Sequence, residues 1–352
     1  MSLPQEREQL LHRLRTGFLL ELGTIPPYMM ALLSIRAPHN RVAAELIRTV
    51  MVEEMLHMTM VGNVTLSLGG RVAIDADHVP RYPLSLDFEG QRFRDRRFDV
   101  DLAPLSSATI DTFMAIEQPD GWGAERQAMA TAELEIPGLT IGDFYRQIVQ
   151  SLESMCREYG ERAVFSGDPG HQVSEDYYWS AGGKPIKVVD LETARRAIDV
   201  VIDQGEGTTT SIYDGDHRQF GQRAELAHFF RFREIHYGRH YQLTDKPHAP
   251  PTGAPFEVDY TQVFPFKPNP RPGDYAAGTP LAQLNRRFNK AYTLMLVQLR
   301  EAFGGTPRTL YTAIMNGMHG ISEIARQMLA LPIPGDPDGY HGAPTFEWVE
   351  AR

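Results

Sequence analysis

The sequence predicts a mainly α protein: an antiparallel four-helix bundle with long irregular insertions and an additional C-terminal helical hairpin. Three observations carry this reading. Apolar residues recur at spacings of three and four over several stretches of the 352-residue chain. Short turn sequences separate the first two and the last two of these stretches, which sets up antiparallel neighbours. Strand-like alternation is confined to brief pieces between them.

Leu14, Phe18, Glu21, Ile25, Tyr28 and Leu32 advance by fours and threes between Gln5 and Leu33, so they share one helix face. Pro26-Pro27 remove backbone donors there and predict a kink. Pro38-His39-Asn40 reads as a turn. A second helix places Leu46, Val50, Glu54, His57, Val61, Val64 and Leu68 on one stripe and ends at Gly69-Gly70. Residues 71–139 lose this period, with β-like pieces at Arg92-Phe93 and Phe98-Asp99-Val100, and predict a long crossover. Thr140 with Asp143 resembles a capping box opening a helix through Phe144, Ile148, Leu152 and Met155. After an irregular stretch near 165–188, a helix runs from near Leu191 through Ala194, Ile198 and Ile202 to Gln204-Gly-Glu-Gly207. Beyond Tyr213-Asp-Gly-Asp216 a further helix is expected to carry Glu225, His228, Phe232 and Ile235 on one face. Nine of the 25 prolines fall in 241–280, too many for a helix or central strand, so this segment wraps the surface or links. Leu281 to Leu299 and Leu310 to Met328 form a second hairpin across Gly304-Gly305. The domain plan is therefore a metal-binding bundle at 1–240 with the insertion 71–139, a Pro-rich wrap at 241–280, and a C-terminal hairpin at 281–352 packed on the bundle.

Composition bounds the function. Lys and Arg number 35 against 45 Asp and Glu, a net charge of −10, and an acidic surface repels phosphate backbones, so no nucleic-acid partner is expected. A single cysteine, Cys156, excludes an internal disulfide framework and a Cys-based zinc or iron–sulfur site. The polar N-terminal residues show no secretory signal. Glu21, Pro26 and Pro27 interrupt the best apolar run below the ~18–20 residues of a membrane span. The expectation is a cytoplasmic protein with no membrane partner and a small-molecule substrate, with a homo-oligomer left open. Walker loops, dinucleotide fingerprints and Gly-x-Ser-x-Gly elbows are absent from the sequence.

The informative residues are charged ones at apolar positions. Glu21 sits in the first buried stripe, and Glu54 and His57 sit in the second. A buried carboxylate needs a cation, a hydrogen-bond network or a metal. Glu54 and His57 are three apart, so their side chains converge on one helix face. Glu21 and Glu54 are equidistant from the turn at Pro38, which puts them at one height in a hairpin. Glu225-Leu-Ala-His228 repeats the Glu-x-x-His spacing, and Glu206 mirrors Glu225 about Gly215-Asp216. Two Glu residues plus two Glu-x-x-His pairs make the ligand set of di-iron or di-manganese carboxylate bundles. Hard carboxylates bridge two cations while an imidazole caps each. The predicted ligands are thus Glu21, Glu54, His57, Glu206, Glu225 and His228, with Glu21, Glu54, His57, Glu225 and His228 as the catalytic set. Glu117, Glu153 and Glu192 are reserves for Glu206, which lies at a helix end between Gly205 and Gly207. The bland alternative pairs Glu21 and Glu54 with Arg48 or Arg231. Glu53, rotated about 100° from Glu54, faces a neighbouring helix or solvent. Met51, Met55, Met58 and Met60 read as core filler, His236 and His240 as surface residues, and Arg94, Arg96 and Arg97 as a solvated cluster or an acidic docking point.

Leu19-Leu-Glu-Leu-Gly-Thr-Ile-Pro-Pro-Tyr28, Val52-Glu-Glu-Met-Leu-His57 and Gly69-Gly70 resemble the ferritin-like domain of the iminophenyl-pyruvate dimer synthase type. Thr140-Ile-Gly-Asp-Phe-Tyr145, Gln204-Gly-Glu-Gly207, Glu225 to Phe232, the Phe288–Met328 hairpin and Ala343-Pro-Thr-Phe346 are similar to its later blocks. That type is associated with enzymes coupling two aromatic imines in bisindole pigment biosynthesis. The resemblance implies a ferritin-like bundle with a dinuclear non-haem site at the six ligands named above. Those pigment enzymes are larger, multidomain and haem-associated, whereas no haem ligand is identified in this sequence.

The expected function is an O₂-activating di-iron oxidase or oxygenase, with two Fe²⁺ ions or manganese in their place, acting on a small aromatic or amino-acid-derived metabolite of secondary metabolism. The long segments at 71–139 and 241–280 are consistent with a covered pocket. An imine-coupling enzyme and a non-catalytic ferritin-like storage protein are the alternatives.

Overall fold

The computed structural model describes residues 2–88, 91–92, 98–119, 122, 140–178, 182–207 and 211–350. Four long helices form the bundle: α1 (Leu3–Ser34), α2 (Arg41–Ser67), α4 (Ile141–Tyr159) and α6 (Leu191–Glu206). α1 packs on α2, α2 on α6, α6 on α4 and α4 on α1, which closes the square. Between α2 and α4 come two minimal antiparallel pairs, β1 (Leu84–Ser85) with β4 (Asp99–Val100) and β2 (Asp87–Phe88) with β3 (Gln91–Arg92). They are followed by α3 (Ser107–Ile116). The short α5 (Glu161–Val164) and α7 (Asp216–Phe220) lead to α8 (His228–Tyr237), which packs on α2, α3 and α6. α9 (Pro280–Ala302) pairs with a composite helix: α10 (Thr309–Thr312), a π-helical turn Ala313–Met318, and α11 (His319–Leu329).

Local chemistry explains the helix limits. Thr140 caps α4 by accepting the Asp143 amide at 3.0 Å, and Asp190 and Thr193 form a reciprocal capping box on α6. α1 runs through Pro26-Pro27 as one helix. Pro27 supplies no N–H to the carbonyl of Gly23, and the Tyr82 hydroxyl donates to that oxygen instead, at 2.8 Å. The crossover expected over 71–139 contains α3, a helix that its sequence pattern does not mark. Four of its ten residues are β-branched, and its signal reduces to the Ser106 cap and the buried Ile110, Phe113 and Ile116.

The predicted helix through Glu225 is corrected. The chain around Glu225 is extended: Tyr213 and Leu226 form an antiparallel bridge, and the Asp214 amide donates to the Glu225 carbonyl at 2.9 Å. The helix begins only at His228.

The Pro-rich segment wraps the α1–α2 turn. Asn40 donates to the Asp259 carbonyl at 2.9 Å and accepts the Asp259 amide at 2.7 Å, while the Phe264 amide donates to Ser34 at 2.7 Å. Among the described residues the main apolar core runs from Leu10 to Phe346 and includes Phe288 and Met328 of the C-terminal helices, and a second, small cluster gathers Ile212, Ala227, Phe229 and Phe230. By length and composition alone α1 is apolar enough to cross a membrane, contrary to the sequence expectation. Its apolar window is 78% buried inside the protein, where it serves the core. The Arg94, Arg96 and Arg97 cluster lies outside the described residues.

Candidate metal centre

Two imidazoles and three carboxylates meet where the bundle core is capped by α3 and α8. α1 supplies Glu21 and α2 supplies Glu54 and His57. Glu117 stands at the C-cap of α3, and His228 is the first residue of α8. His57 Nδ1 lies 3.6 Å from both Glu21 Oε2 and Glu54 Oε1. His228 Nδ1 lies 3.0 Å from Glu54 Oε1 and 3.6 Å from Glu117 Oε2. Glu54 is therefore shared between the two rings, which stack with centroids 5.2 Å apart. Glu54, His57 and His228, all buried, bring donor atoms within 4.8 Å of one another.

The surrounding residues fix which ring nitrogen is free. Gln204 donates its amide to Asp216 Oδ1 and to the Gly182 carbonyl, both at 2.7 Å, so its oxygen must accept from His57 Nε2 at 2.9 Å. Glu53 accepts from His228 Nε2 at 2.9 Å and from Arg231 at 2.9 Å. Both Nε2 atoms thus carry protons, and both Nδ1 lone pairs aim at carboxylate oxygens. His228 Nδ1 is buried without a hydrogen-bond partner. A lone pair facing carboxylates across 3 to 4 Å is the place for a cation. The mixed carboxylate–imidazole donor set, with Glu54, His57 and His228 as its closest group, can hold a metal ion.

The remaining carboxylate oxygens are held by hydroxyls. Thr24 donates to Glu54 at 2.7 Å, Tyr28 to Glu117 at 2.5 Å, and Tyr145 to Glu21. Burial, aided by Glu117 and Glu21 respectively, pushes Tyr28 and Tyr145 well above the ordinary phenol range, so both remain donors. Burial pushes Glu54 up to about 7, and the nearby Glu117 adds to this. Burial opposes the charged form of both imidazoles, yet Glu21 and Glu54 hold His57, and Glu117, Glu53 and Glu54 hold His228, above the ordinary value. Without a bound cation the cluster recruits protons as its positive charge.

The six predicted ligands fare differently. Glu21, Glu54, His57 and His228 converge. Glu206 lines the same small cavity, but its carboxylate accepts the Gly142 amide at 2.7 Å and lies 3.9 Å from Arg146. Burial raises it to about 7. Glu225 does not reach the centre: its side chain is 60% exposed and lies 3.5 Å from Arg231 Nη2. The reason is the extended backbone before α8, which breaks the one-turn geometry that Glu-x-x-His requires. Among the reserves Glu117 joins the cluster, while Glu153 pairs with Arg195 and Glu192 is exposed. Gly205 makes room, since a Cβ there would sit 3.3 Å from Glu117 Oε2. Of the two arginines in the alternative reading, Arg48 pairs with Glu45 at the surface and Arg231 with Glu53. Glu53 faces α8, not solvent. His236 pairs with Asp111 and His240 with Glu234, away from the centre. Gln204, Tyr145 and Glu53 support the ligands from positions that the sequence does not mark. Their signal was polar residues at buried helical positions, which spacing cannot connect across elements.

A four-helix bundle holding carboxylates and imidazoles in its core defines a ferritin-like protein. The chain belongs to the ferritin-like family, whose model matches residues 14–237. It is 25% identical over 329 residues to dichlorochromopyrrolate synthase of Lentzea aerocolonigenes, covering 85% of this chain and 29% of that protein. It is 28% identical over 188 residues to 2-imino-3-(indol-3-yl)propanoate dimerase of Chromobacterium violaceum, covering 52% of this chain and 16% of that one. The chain thus spans less than a third of either curated relative. A crystal structure of a ferritin-like protein from Caulobacter vibrioides shares the fold over 99% of both chains, with a TM-score of 0.57 at 20% identity.

Proposed function

We propose that this chain is a cytoplasmic non-haem di-iron oxidase or oxygenase acting on a small aromatic or amino-acid-derived metabolite of secondary metabolism. The observation that carries the proposal is the convergence of two imidazole Nδ1 lone pairs on the shared Glu54 Oε1, flanked by Glu21 and Glu117. Glu21, Glu54, His57, Glu117 and His228 would hold the metals, with Glu206 at the rim. Two iron ions, when bound there, would supply the electrons and open coordination positions for reducing O₂, and manganese suits the same donors. The protein's own part is positioning. Gln204 and Glu53 orient the imidazoles, Arg231 neutralises Glu53, and Tyr28, Tyr145 and Thr24 fix the carboxylates. The apolar walls supplied by Leu20, Ile141, Val201 and Ile202 keep water out.

A second reading, an imine-coupling enzyme, is favoured by the names of the two curated relatives, a synthase and a dimerase. The test is oxygen consumption by ferrous-loaded protein with aromatic amino-acid derivatives, with product masses recorded after incubation with an indole-pyruvate imine. Turnovers beyond the metal stoichiometry support the oxidase. A coupled product without oxygen consumption moves the assignment to the second reading. A reconstituted metal content persistently near zero defeats the dinuclear centre.

A further inference from the structure

We propose that the open groove beside the α1–α2 turn is a docking surface for an acidic polypeptide segment that carries apolar side chains. The groove lies between that turn, the Pro-rich wrap and the far end of α11, and it opens to solvent with a volume of about 1440 Å³. Pockets that enclose small molecules hold roughly 300–1,000 Å³, so this space suits a longer occupant. None of the metal-centre residues lines it, and the two sites are separate.

Charge selects the sign of the occupant. Four arginines and two histidines line the groove against one carboxylate, that of Glu45, on a chain whose net charge is −10. Arg48 holds Glu45 at 2.6 Å. At the edges His39 faces Glu257 at 3.5 Å, His240 faces Glu234 at 3.1 Å and Arg326 faces Glu323 at 3.9 Å. Among the described residues Arg36 and Arg41 make no ion pair. The Arg36 guanidinium lies over the Phe264 ring, 4.7 Å from its centroid, and its Nε is buried without a partner. The stack fixes the plane of the fork, and a planar fork without a partner is suited to a carboxylate. No side chain caps α2, because Asn40 is committed to the backbone of Asp259, so the positive end of that helix adds to the same wall.

The floor selects a polypeptide over a bare anion. Leu32, Ile35, Leu46 and Phe264 are half-buried and line the groove among the arginines. Apolar surface gathered in one hollow and rimmed by charge marks a protein-interaction site. Arginine and aromatic residues are also the types enriched at such interfaces. A segment with alternating acidic and apolar residues would rest its apolar side chains on this floor and present carboxylates to Arg36 and Arg41. The acidic chain around the groove repels a nucleic-acid backbone, and a flat membrane surface does not reach a concave floor.

The experiment follows the fluorescence anisotropy of a labelled dodecapeptide alternating glutamate and leucine as the full chain is added. Binding should be saturable and should weaken as salt rises. Arg41→Glu should weaken it at least tenfold, whereas Arg157→Glu, the same change of charge at an exposed position on α4, should leave it within twofold. Arg41 is exposed and opens α2, where an acidic side chain suits the helix end, so this variant keeps its fold. Arg36→Lys, which keeps the charge and loses the fork, should weaken binding severalfold. Absence of saturable binding by the parent, equal binding of a glutamate–serine or a lysine–leucine peptide, or full binding by Arg41→Glu would overturn the proposal. Phosphatidylserine vesicles that bind the parent but not Arg41→Glu would also overturn it, by assigning the groove to a membrane surface.

Discussion

Glu54 and His57 lie inside α2, where three residues are close to one turn, and both side chains reach the same cavity. Glu225 and His228 have the same spacing but straddle the start of α8, and only the histidine arrives. The missing carboxylate is replaced by Glu117, which comes from the end of α3, more than a hundred positions earlier in the chain. A metal-ligand motif is thus a statement about backbone conformation before it is one about residue type. The first half of the centre is built by one hairpin, and the second half is assembled from separate pieces docked on its end.

Removing ligands from either half is the strongest way to break this comparison. His57→Ala and His228→Ala should each cut oxygen-dependent turnover by more than the roughly 10–100-fold typical of lost outer partners. The double variant should lose little more, since both act as one unit. Glu225→Ala should leave turnover unchanged, and Glu117→Gln should lower metal affinity more than Glu206→Gln does. Normal turnover in His228→Ala would reduce the centre to the α1–α2 half alone.

Arg231 tests how the assembled half is held. It is buried and neutralises Glu53, which in turn orients His228. Burial favours the neutral form of Glu53, but Arg231 and His228 outweigh this and hold its pKa below the usual carboxylate range. Arg231→Met should cost about 3–5 kcal/mol in urea unfolding, because it strands a buried carboxylate. Arg48→Met, which breaks an exposed pair with Glu45, should cost about 0–1 kcal/mol.

The pH dependence sharpens the role of the metal. Glu54 and Glu206 are raised to about 7, so the fold favours their protonated forms. Their contribution is full below the ordinary carboxylate range and is lost as pH rises through about 7. His57 and His228 are also raised, so theirs is full below about 6.5 and is lost as pH rises through their folded values. Chelated protein should therefore melt at lower temperature as pH increases from 5 to 8. Bound metal requires deprotonated ligands, so the stabilisation by ferrous ion should grow over the same interval. Parallel melting curves with and without EDTA across this range would mean that the acids are neutralised without metal.

The smallest effect concerns the helix that carries Glu117. Ser106 caps α3 by accepting the Thr109 amide at 3.1 Å. Ser106→Ala should cost about 1 kcal/mol. It should also lower metal content under limiting iron more than an equally destabilising change in the cap of α6, Asp190→Ala.

The bundle was legible because its signals are local. Periodicity, the Thr140 cap and the Gly69 stop each lie within a few residues of what they govern, and the Asp190 cap of α6, as local as these, is seen only in the structure. Charged residues on apolar stripes marked Glu21, Glu54 and His57 for the same reason: an amphipathic helix reveals which side chains it buries. His228 was found through its spacing to Glu225, although that spacing does not operate in the fold. α3 was not legible, with β-branched residues in four of its ten positions and one serine cap as its clearest sign.

What the sequence by itself determined is the helical architecture, the hairpin that pairs Glu21 with Glu54 and His57, and the acidic, cysteine-poor chemistry of the chain. What only the tertiary structure decided is the far side of the centre: Glu117 in place of Glu225, Gln204 and Glu53 behind the imidazoles, and Tyr28 and Tyr145 on the carboxylates. The physical reason is range. Helix geometry relates residues three or four apart, and a turn relates residues equidistant from it, so both can be read along the chain. The angle at which α3 and α8 dock on the bundle depends on the summed packing of many side chains, and no short pattern encodes that sum.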